Sequence, residues 1–309
     1  MITKALLSIS YMMLSCLITT FGQQPINSEI ELIPASYKES SPIDEPLLIQ
    51  NKKNLKILSW NIYMLPPAIL ETAKRQRAKA IATELDQTDY DILVFQEAFH
   101  SAARNILRAK LHHLFPHSYG PANHKGIKFN SGIWILSKIP LKPVKEIKYK
   151  KCTGYDCYSQ KGAILMEGNK SGEIFQLIGT HLQSEGPQEI RQSQYEEIYN
   201  ELVVPYQKRN VPQIICGDFN TSSSDQCSYD DMVCTLDCEN GKLDGKTKNT
   251  YKGGNDQIDY ILLRKNGCII KHQHREIKEF FHAWFGKKNK YIQSPDLSDH
   301  NAIEIDIEF

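Results

Sequence analysis

The chain has 309 residues, 41% of them hydrophobic and 24% charged, an ordinary globular balance that suffices to bury a large core in one big domain or in two. Lysine and arginine number 37 against 36 aspartates and glutamates, a formal net charge of +1. A near-neutral chain lacks the long-range field that most nucleic-acid binders use, which counts mildly against a nucleic-acid partner without excluding a nuclease.

The first residues read as an export signal over 1–22: basic "MITK", apolar "ALLSISYMMLSCLITTF", and the small Gly22 before Gln23. The alternatives are an uncleaved anchor, for which the stretch is short and rich in Ser and Thr, and a lipid-modified Cys16, which the preceding "MML" fits poorly. Residues 23–54 are rich in Ser, Pro and Glu without periodicity and read as a tether. A secreted protein is expected, and export permits disulfides. Of the 8 cysteines, Cys16 leaves with the signal and the remainder is odd in number. Cys216 sits in an apolar run as a buried hydrophobe. Cys152 and Cys157 bracket "TGYD". Cys227, Cys234 and Cys238 fall in a loop-like region without an interleaved His, and zinc is discounted there. Connectivity among these and Cys268 stays open.

From Leu55 onward strand-like and helix-like runs alternate, and residues 55–309 read as a single α/β domain. "LKILSWNIY" is followed by the helical "ETAKRQRAKAIATEL", then "DILVFQEAF" by "ARNILRAKLHHLF", in which Ile106, Leu107, Leu111 and Leu114 share a face. Three strand-like runs follow, "GIWILSKIPL", "KGAILMEG" and "EIFQLIGTHL". A helix is expected from Pro187, with Ile190, Gln194, Ile198 and Leu202 on one face. "IICGDFNTSSSDQ" is an apolar strand ending in polar residues, and "QIDYILLR" and "AIEIDIEF" complete the pattern. No internal repeat interrupts it, so the expected architecture is mixed sheets covered by helices.

The strand ends carry the chemistry. Asn61 ends "SWN", Glu97 "VFQE" and His181 "GTH"; Asp218 and Asn220 end "GDFN"; Asp259 lies in "IDY", and Asp299 with His300 form "SDH" before the last strand. Any one of these is equally a cap or turn residue. Together they are polar groups presented where open α/β sheets place ligands. Oxygen donors suit Mg²⁺, which keeps several waters and takes one or two carboxylates. Histidines with carboxylates suit activation of water and protonation of a leaving group. The combination points to metal-assisted phosphoester hydrolysis.

"SWN", "QE", "GTHL", "GDFN", "IDYILL" and "SDH", in this order from about Leu55 to Phe309, resemble the endonuclease/exonuclease/phosphatase (deoxyribonuclease I-like) superfamily. The resemblance implies a four-layer sandwich, two facing mixed β-sheets flanked by helices. Within it, "WNIYMLP" (Trp60 to Pro66), "DCYSQKG" (Asp156 to Gly162) and "THLQSE" (Thr180 to Glu185) are similar to secreted bacterial-type sphingomyelinase C. That enzyme class implies Mg²⁺, with Mn²⁺ or Co²⁺ as alternatives, and a sphingomyelin-like membrane lipid cleaved to ceramide and phosphocholine. No nucleic acid and no obligate protein partner is expected. The family's bridge from near Cys152 to a cysteine after "THLQ" has no counterpart, since Gly186 and Pro187 follow Glu185; a Cys152–Cys157 link is the available substitute. The segment Ser222 to Asn255 has no matching motif.

The resemblance assigns roles. Glu97 is expected to ligate the metal directly, and Asn61 to contact its waters or the phosphate. His300 is the expected general base, held in tautomer by Asp259 or Asp299. Asp218 and Asn220 would orient water and a phosphate oxygen, and Asp156 joins Asn61 and Asn220 in the substrate-contacting set. His181 would protonate or hydrogen-bond the departing alkoxide, and Lys161, brought near by the turn at Asp156, would add positive charge. In "FFHAWFGKKNKY", Phe280, Phe281, Trp284 and Phe285 ahead of Lys287, Lys288 and Lys290 read as a membrane-docking tip. A core strand with a solvated turn is the competing reading. The rivals for function are a secreted Mg²⁺-dependent nuclease and a catalytically inactive membrane-binding toxin component.

Overall fold

The computed structural model describes residues 54–309 except 67–68, 123–126, 255 and 287–291. The expected signal and, apart from Asn54, the tether lie outside these residues, as do the lysines of the expected tip.

The first sheet is built around β1 (Asn54–Met64), which is buried along almost its whole length. It pairs in parallel with β2 (Ile92–Ala98) and antiparallel with β11 (Ala302–Glu308). With β3 (His117–Tyr119), β4 (Trp134–Ser137) and the edge strand β10 (His272–Lys278), the order is β10-β11-β1-β2-β4-β3. The second sheet runs β5 (Leu141–Lys148), β6 (Gly162–Lys170), β7 (Glu173–His181), β8 (Gln213–Asp218) and β9 (Asp259–Arg264) in sequence order. There β7 and β8 are the parallel pair and the other neighbours are antiparallel.

Continuous apolar runs such as "KILSW" and "IICG" form strands buried on both faces, and the packing explains why. Ile57, Val94, Ile135 and Ile305 of one sheet meet Met166, Leu177, Ile214 and Ile261 of the other in a core between the sheets. Helices α1 (Lys74–Leu85) and α2 (Ser101–Leu111) cover the outer face of the first sheet, where Ala78, Ile81, Leu107 and Leu111 pack on Leu58, Leu93 and Phe95. Helix α3 (Gln188–Ile198) continues through a π turn into α4 (Val204–Tyr206). With α5 (Gln226–Thr235) it covers the second sheet, where Tyr195, Ile198 and Met232 meet Leu165, Ile178 and Leu262. Helix, sheet, sheet, helix is the four-layer sandwich that the sequence led us to expect.

The details correct several expectations. Helix α1 starts at Lys74 and not at Glu71, because Ala73 sits in the left-handed region (φ 49°) and its N–H is taken by Glu71 Oε1 at 2.8 Å. Cys227 and Cys234 lie on helix α5, in a region that reads as loop; its N-terminus is capped by Asp225, which accepts from Ser228 N at 3.2 Å. Strand β10, "HQHREIK", has too few apolar residues to declare itself, being an edge strand with only Arg275 and Ile277 buried. Cys216 is fully buried, as expected. Cys152 and Cys157 form a disulfide, Cα atoms 5.3 Å apart, around the short 3₁₀ turn Gly154–Tyr158.

Candidate active site

Each sheet contributes the ends of its parallel pair. Asn61 and Glu97 come from β1 and β2, and His181 and Asp218 from the last residues of β7 and β8, which pair with each other in register. Asp259 opens β9 opposite Asp218, and His300 lies two residues before the start of β11. Asn61 Nδ2 donates to Asp218 Oδ2 at 3.0 Å, so the two sheets meet at these strand ends.

Asp218 is the hub. Its Oδ2 lies 3.5 Å from His181 Nε2 and 3.9 Å from His300 Nε2, while its Oδ1 accepts the Asn220 N–H at 2.9 Å. The Asn220 side chain donates to Leu182 O at 3.1 Å, tying the "GDFN" turn to the end of β7. His300 Nδ1 stands 2.8 Å from Asp259 Oδ2, and Trp60 Nε1 donates to His300 O at 3.0 Å. Of the two carboxylates expected to orient His300, the dyad partner is Asp259. Asp299 accepts from Ser298 Oγ at 3.3 Å and acts on His300, and then on Arg77, through its charge alone.

The charge states follow from burial and neighbours. Burial alone would strip the proton from His300, but the adjacent Asp259 carboxylate, with Asp218 and Asp299 behind it, reverses this and pushes its pKa up to about 10. His181 is the opposite case. Burial, reinforced by the Lys161 ammonium, lowers it to about 3, so it is neutral at ordinary pH. Lys161 Nζ bonds His181 Nε2 at 3.0 Å, Leu182 O at 2.8 Å and Asp156 Oδ1 at 2.9 Å, and its three hydrogens are thereby engaged. With Nε2 accepting from an ammonium, the His181 proton sits on Nδ1, which is buried without a partner. An imidazolium acid at His181 is thus replaced by a neutral Nδ1–H donor. Asp156 is held in turn, its Oδ2 accepting from Ser184 N at 2.6 Å and Ser184 Oγ at 2.8 Å.

Glu97, like Asp259 with its Oδ1, carries a buried carboxylate oxygen that no described residue satisfies. Its Oε2 is enclosed with no hydrogen-bond partner. Burial and the Asp299 carboxylate raise its pKa to about 7, against the favourable pull of His300, Lys161 and Asn61. Its backbone is in the left-handed region (φ 53°), unusual for Glu and tolerated where surrounding structure enforces it; Asn220 (φ 51°) shares the trait. An enclosed, unpaired carboxylate oxygen suits a hard divalent cation. Asp218, Asp259 and His300 also lie close enough together, within 4.8 Å, to hold a metal ion. The His300–Asp259 hydrogen bond uses that imidazole's Nδ1 and leaves Nε2, and the orphaned oxygens of Glu97 and Asp259 are both fit to face a cation.

Sequence reasoning missed three supports. Arg77 is fully buried and donates to carbonyls of Thr72 (2.7 Å), Ile62 (3.0 Å), Leu297 (2.7 Å) and Tyr63, bracing the segments that follow Asn61 and precede Asp299. Thr250 Oγ1 accepts from Asp259 N at 3.0 Å, and the Tyr251 ring lies 5.2 Å from the His300 ring. The turn residues around "NTYKGGND" are the only local hint of the latter pair.

The aromatic tip divides. Phe280 packs 5.1 Å from the Trp60 ring, and Trp284 is 6% exposed with Nε1 donating to Asp296 O at 2.7 Å. Trp284 is a core side chain and Phe280 is half-buried against the core, so the partners of both lie inward. Phe281 (49% exposed, with Lys252 Nζ 4.9 Å from its ring) and Phe285 (88% exposed) point outward. Gly286 packs so close to Ala73 that a Cβ there would lie 2.5 Å from Ala73 Cβ, and the neighbouring Ile69 and Leu70 are exposed as well.

Carboxylates, imidazoles and an enclosed cation-ready oxygen at the strand ends of a two-sheet sandwich define a hydrolase of phosphate esters. The sequence profile of the Endonuclease/Exonuclease/phosphatase family matches residues 58–300, and the chain belongs to that family. It is 28% identical over 269 residues to "Sphingomyelinase C 2" of Leptospira interrogans, covering 74% of this chain but only 42% of that protein. It is 25% identical over 310 residues to "Phospholipase C" of Staphylococcus aureus, covering 84% of this chain and 90% of that one. Among solved structures, Staphylococcus aureus beta toxin with bound magnesium ions has the same fold: TM-score 0.71, 23% identity, 82% of this chain and 99% of that one.

Proposed function

We propose that this protein is a secreted, divalent-cation-dependent phosphodiesterase of the phospholipase C type that cleaves sphingomyelin to ceramide and phosphocholine at a membrane surface. The observation that carries the reading is the enclosed, unpaired Glu97 oxygen beside the Asp259–His300 dyad. Relatives named sphingomyelinase C and phospholipase C support the substrate class. The outward Phe285 and the exposed Ile69 and Leu70 support action at a bilayer interface.

Mg²⁺ is the cation proposed, with Glu97 as ligand and Asn61 beside it, and when bound it would supply positive charge against the phosphate oxygens. Asp259 fixes the His300 ring by its Nδ1, leaving Nε2 toward Asp218 as the proton-transfer atom for the attacking water. In the cation-free site that nitrogen is protonated, so His300 serves as base only once the surrounding carboxylate charge is drawn elsewhere. Asn61 and Asn220 position Asp218, which orients both the water and the imidazoles. His181 offers its Nδ1–H to the departing oxygen, and Lys161, held by Asp156, fixes the tautomer that makes this possible. The test is phosphocholine release from sphingomyelin liposomes with Mg²⁺ and with chelator, beside a plasmid-nicking control. Cation-dependent release is expected; nicking of DNA without phosphocholine release overturns the reading.

A further inference from the structure

A cavity of about 300 Å³ opens beside the site, lined by Lys128, Lys148, Lys150, Lys151 and Lys161 among others. That volume holds roughly ten waters at about 30 Å³ each, ample for a hydrated phosphate group. The charges do not cancel. Lys150 pairs with Glu201 at 2.6 Å and Lys161 with Asp156 at 2.9 Å, whereas Lys128, Lys148 and Lys151 are exposed and form no salt bridge among the described residues, Lys151 feeling only the more distant charge of Glu197.

The wall is also pre-organised. Phe129 N donates to Tyr158 O at 2.8 Å, Gln160 N to Asn130 O at 3.3 Å and Tyr149 N to Lys161 O at 3.0 Å. These bonds lock together the three segments that bear the lysines. Gln194 Nε2 holds Lys151 O at 3.1 Å, and the Cys152–Cys157 disulfide closes the rim. Among the described residues the pocket's one lining carboxylate, Asp156, is engaged by Lys161 and Ser184. Nothing among these lining groups would attract a quaternary ammonium, and three ammonium groups that form no salt bridge among the described residues would attract an anion.

We propose that this cavity, ringed by Lys128, Lys148 and Lys151, is a second anion site that binds a phosphate group without a metal and without cleaving it. A free phosphate and the headgroup of an anionic phospholipid share that chemistry. The cavity shares Lys161 and Asp156 with the catalytic centre, but Lys128, Lys148 and Lys151 have no part in the phosphodiesterase reading, and the test is confined to them.

The test compares wild type with the double variant Lys128→Gln/Lys151→Gln, in chelator so that the catalytic centre has no cation. One arm titrates inorganic phosphate by calorimetry, with Glu97→Gln as a control that must still bind. The other measures sedimentation with vesicles of phosphatidylcholine, alone or doped with phosphatidic acid. Loss of roughly tenfold or more in affinity for phosphate, for the doped vesicles or for both is the expected result; which arm responds names the source of the anion. Turnover of neutral sphingomyelin vesicles with Mg²⁺ should be unchanged in the variant, which separates this site from the catalytic one. Wild type and variant behaving alike in both arms, or phosphate binding that vanishes with Glu97→Gln, overturns the proposal.

Discussion

Glu97→Gln tests the charge accounting of the site most sharply, because it should stabilise the protein while destroying its function. The pKa of Glu97 goes from its ordinary 4.5 to about 7. Below pH 4.5 the carboxyl is protonated in folded and unfolded chains alike and has no effect. As pH rises through 4.5 toward about 7 the unfolded chain ionises first, and folding stability is lost. At about 1.4 kcal/mol per tenfold, the full loss above pH 7 is roughly 3 kcal/mol. A glutamine of the same shape carries no charge to desolvate and should recover most of it. Urea unfolding in chelator at pH 8 should therefore show the variant more stable than wild type by roughly 2–4 kcal/mol, the gap closing toward pH 4.5. Added Mg²⁺ should stabilise wild type and leave the variant unmoved, and phosphodiesterase turnover should be abolished. A variant less stable than wild type at pH 8 in chelator, or one stabilised by Mg²⁺ equally, would refute the reasoning.

Other expectations follow from the same geometry. Asp259→Asn removes the carboxylate 2.8 Å from His300 Nδ1; charges about 4 Å apart at an effective dielectric near 20 are worth about 4 kcal/mol, so kcat should fall by roughly a thousandfold with little change in KM. In wild type the stability contributed by His300 is fully present below pH 6.5 and is lost as pH rises through about 10, so the variant should show a flatter pH–stability curve over that window. An unaltered curve would remove Asp259 as the cause of the shift. Phe285→Ala should weaken binding to sphingomyelin vesicles and spare hydrolysis of a soluble phosphodiester, whereas Trp284→Ala should cost roughly 3–5 kcal/mol of stability, because its indole is core. Equal stability losses for the two would contradict the inward and outward division of the tip.

What the sequence by itself determined is the cast and its order. Asn61, Glu97, His181, Asp218, Asp259 and His300 stand out because each is a polar residue at the end or beginning of an apolar run, and a pattern of spacing is a local property. The same locality makes α2 and α3 legible from their buried faces, and hides β10, an edge strand that packs few side chains. Only the tertiary structure decided which way Phe280, Phe281, Trp284 and Phe285 face, since neighbours along an irregular segment can be buried or exposed alike. Only it revealed Arg77 beneath the site, reaching Leu297 far along the chain. Two histidines that look interchangeable in sequence take opposite charge states: His300 faces carboxylates, and His181 accepts from an ammonium. Proton affinity depends on desolvation and on the field of every nearby charge, and those neighbours are assembled from segments that no local window contains.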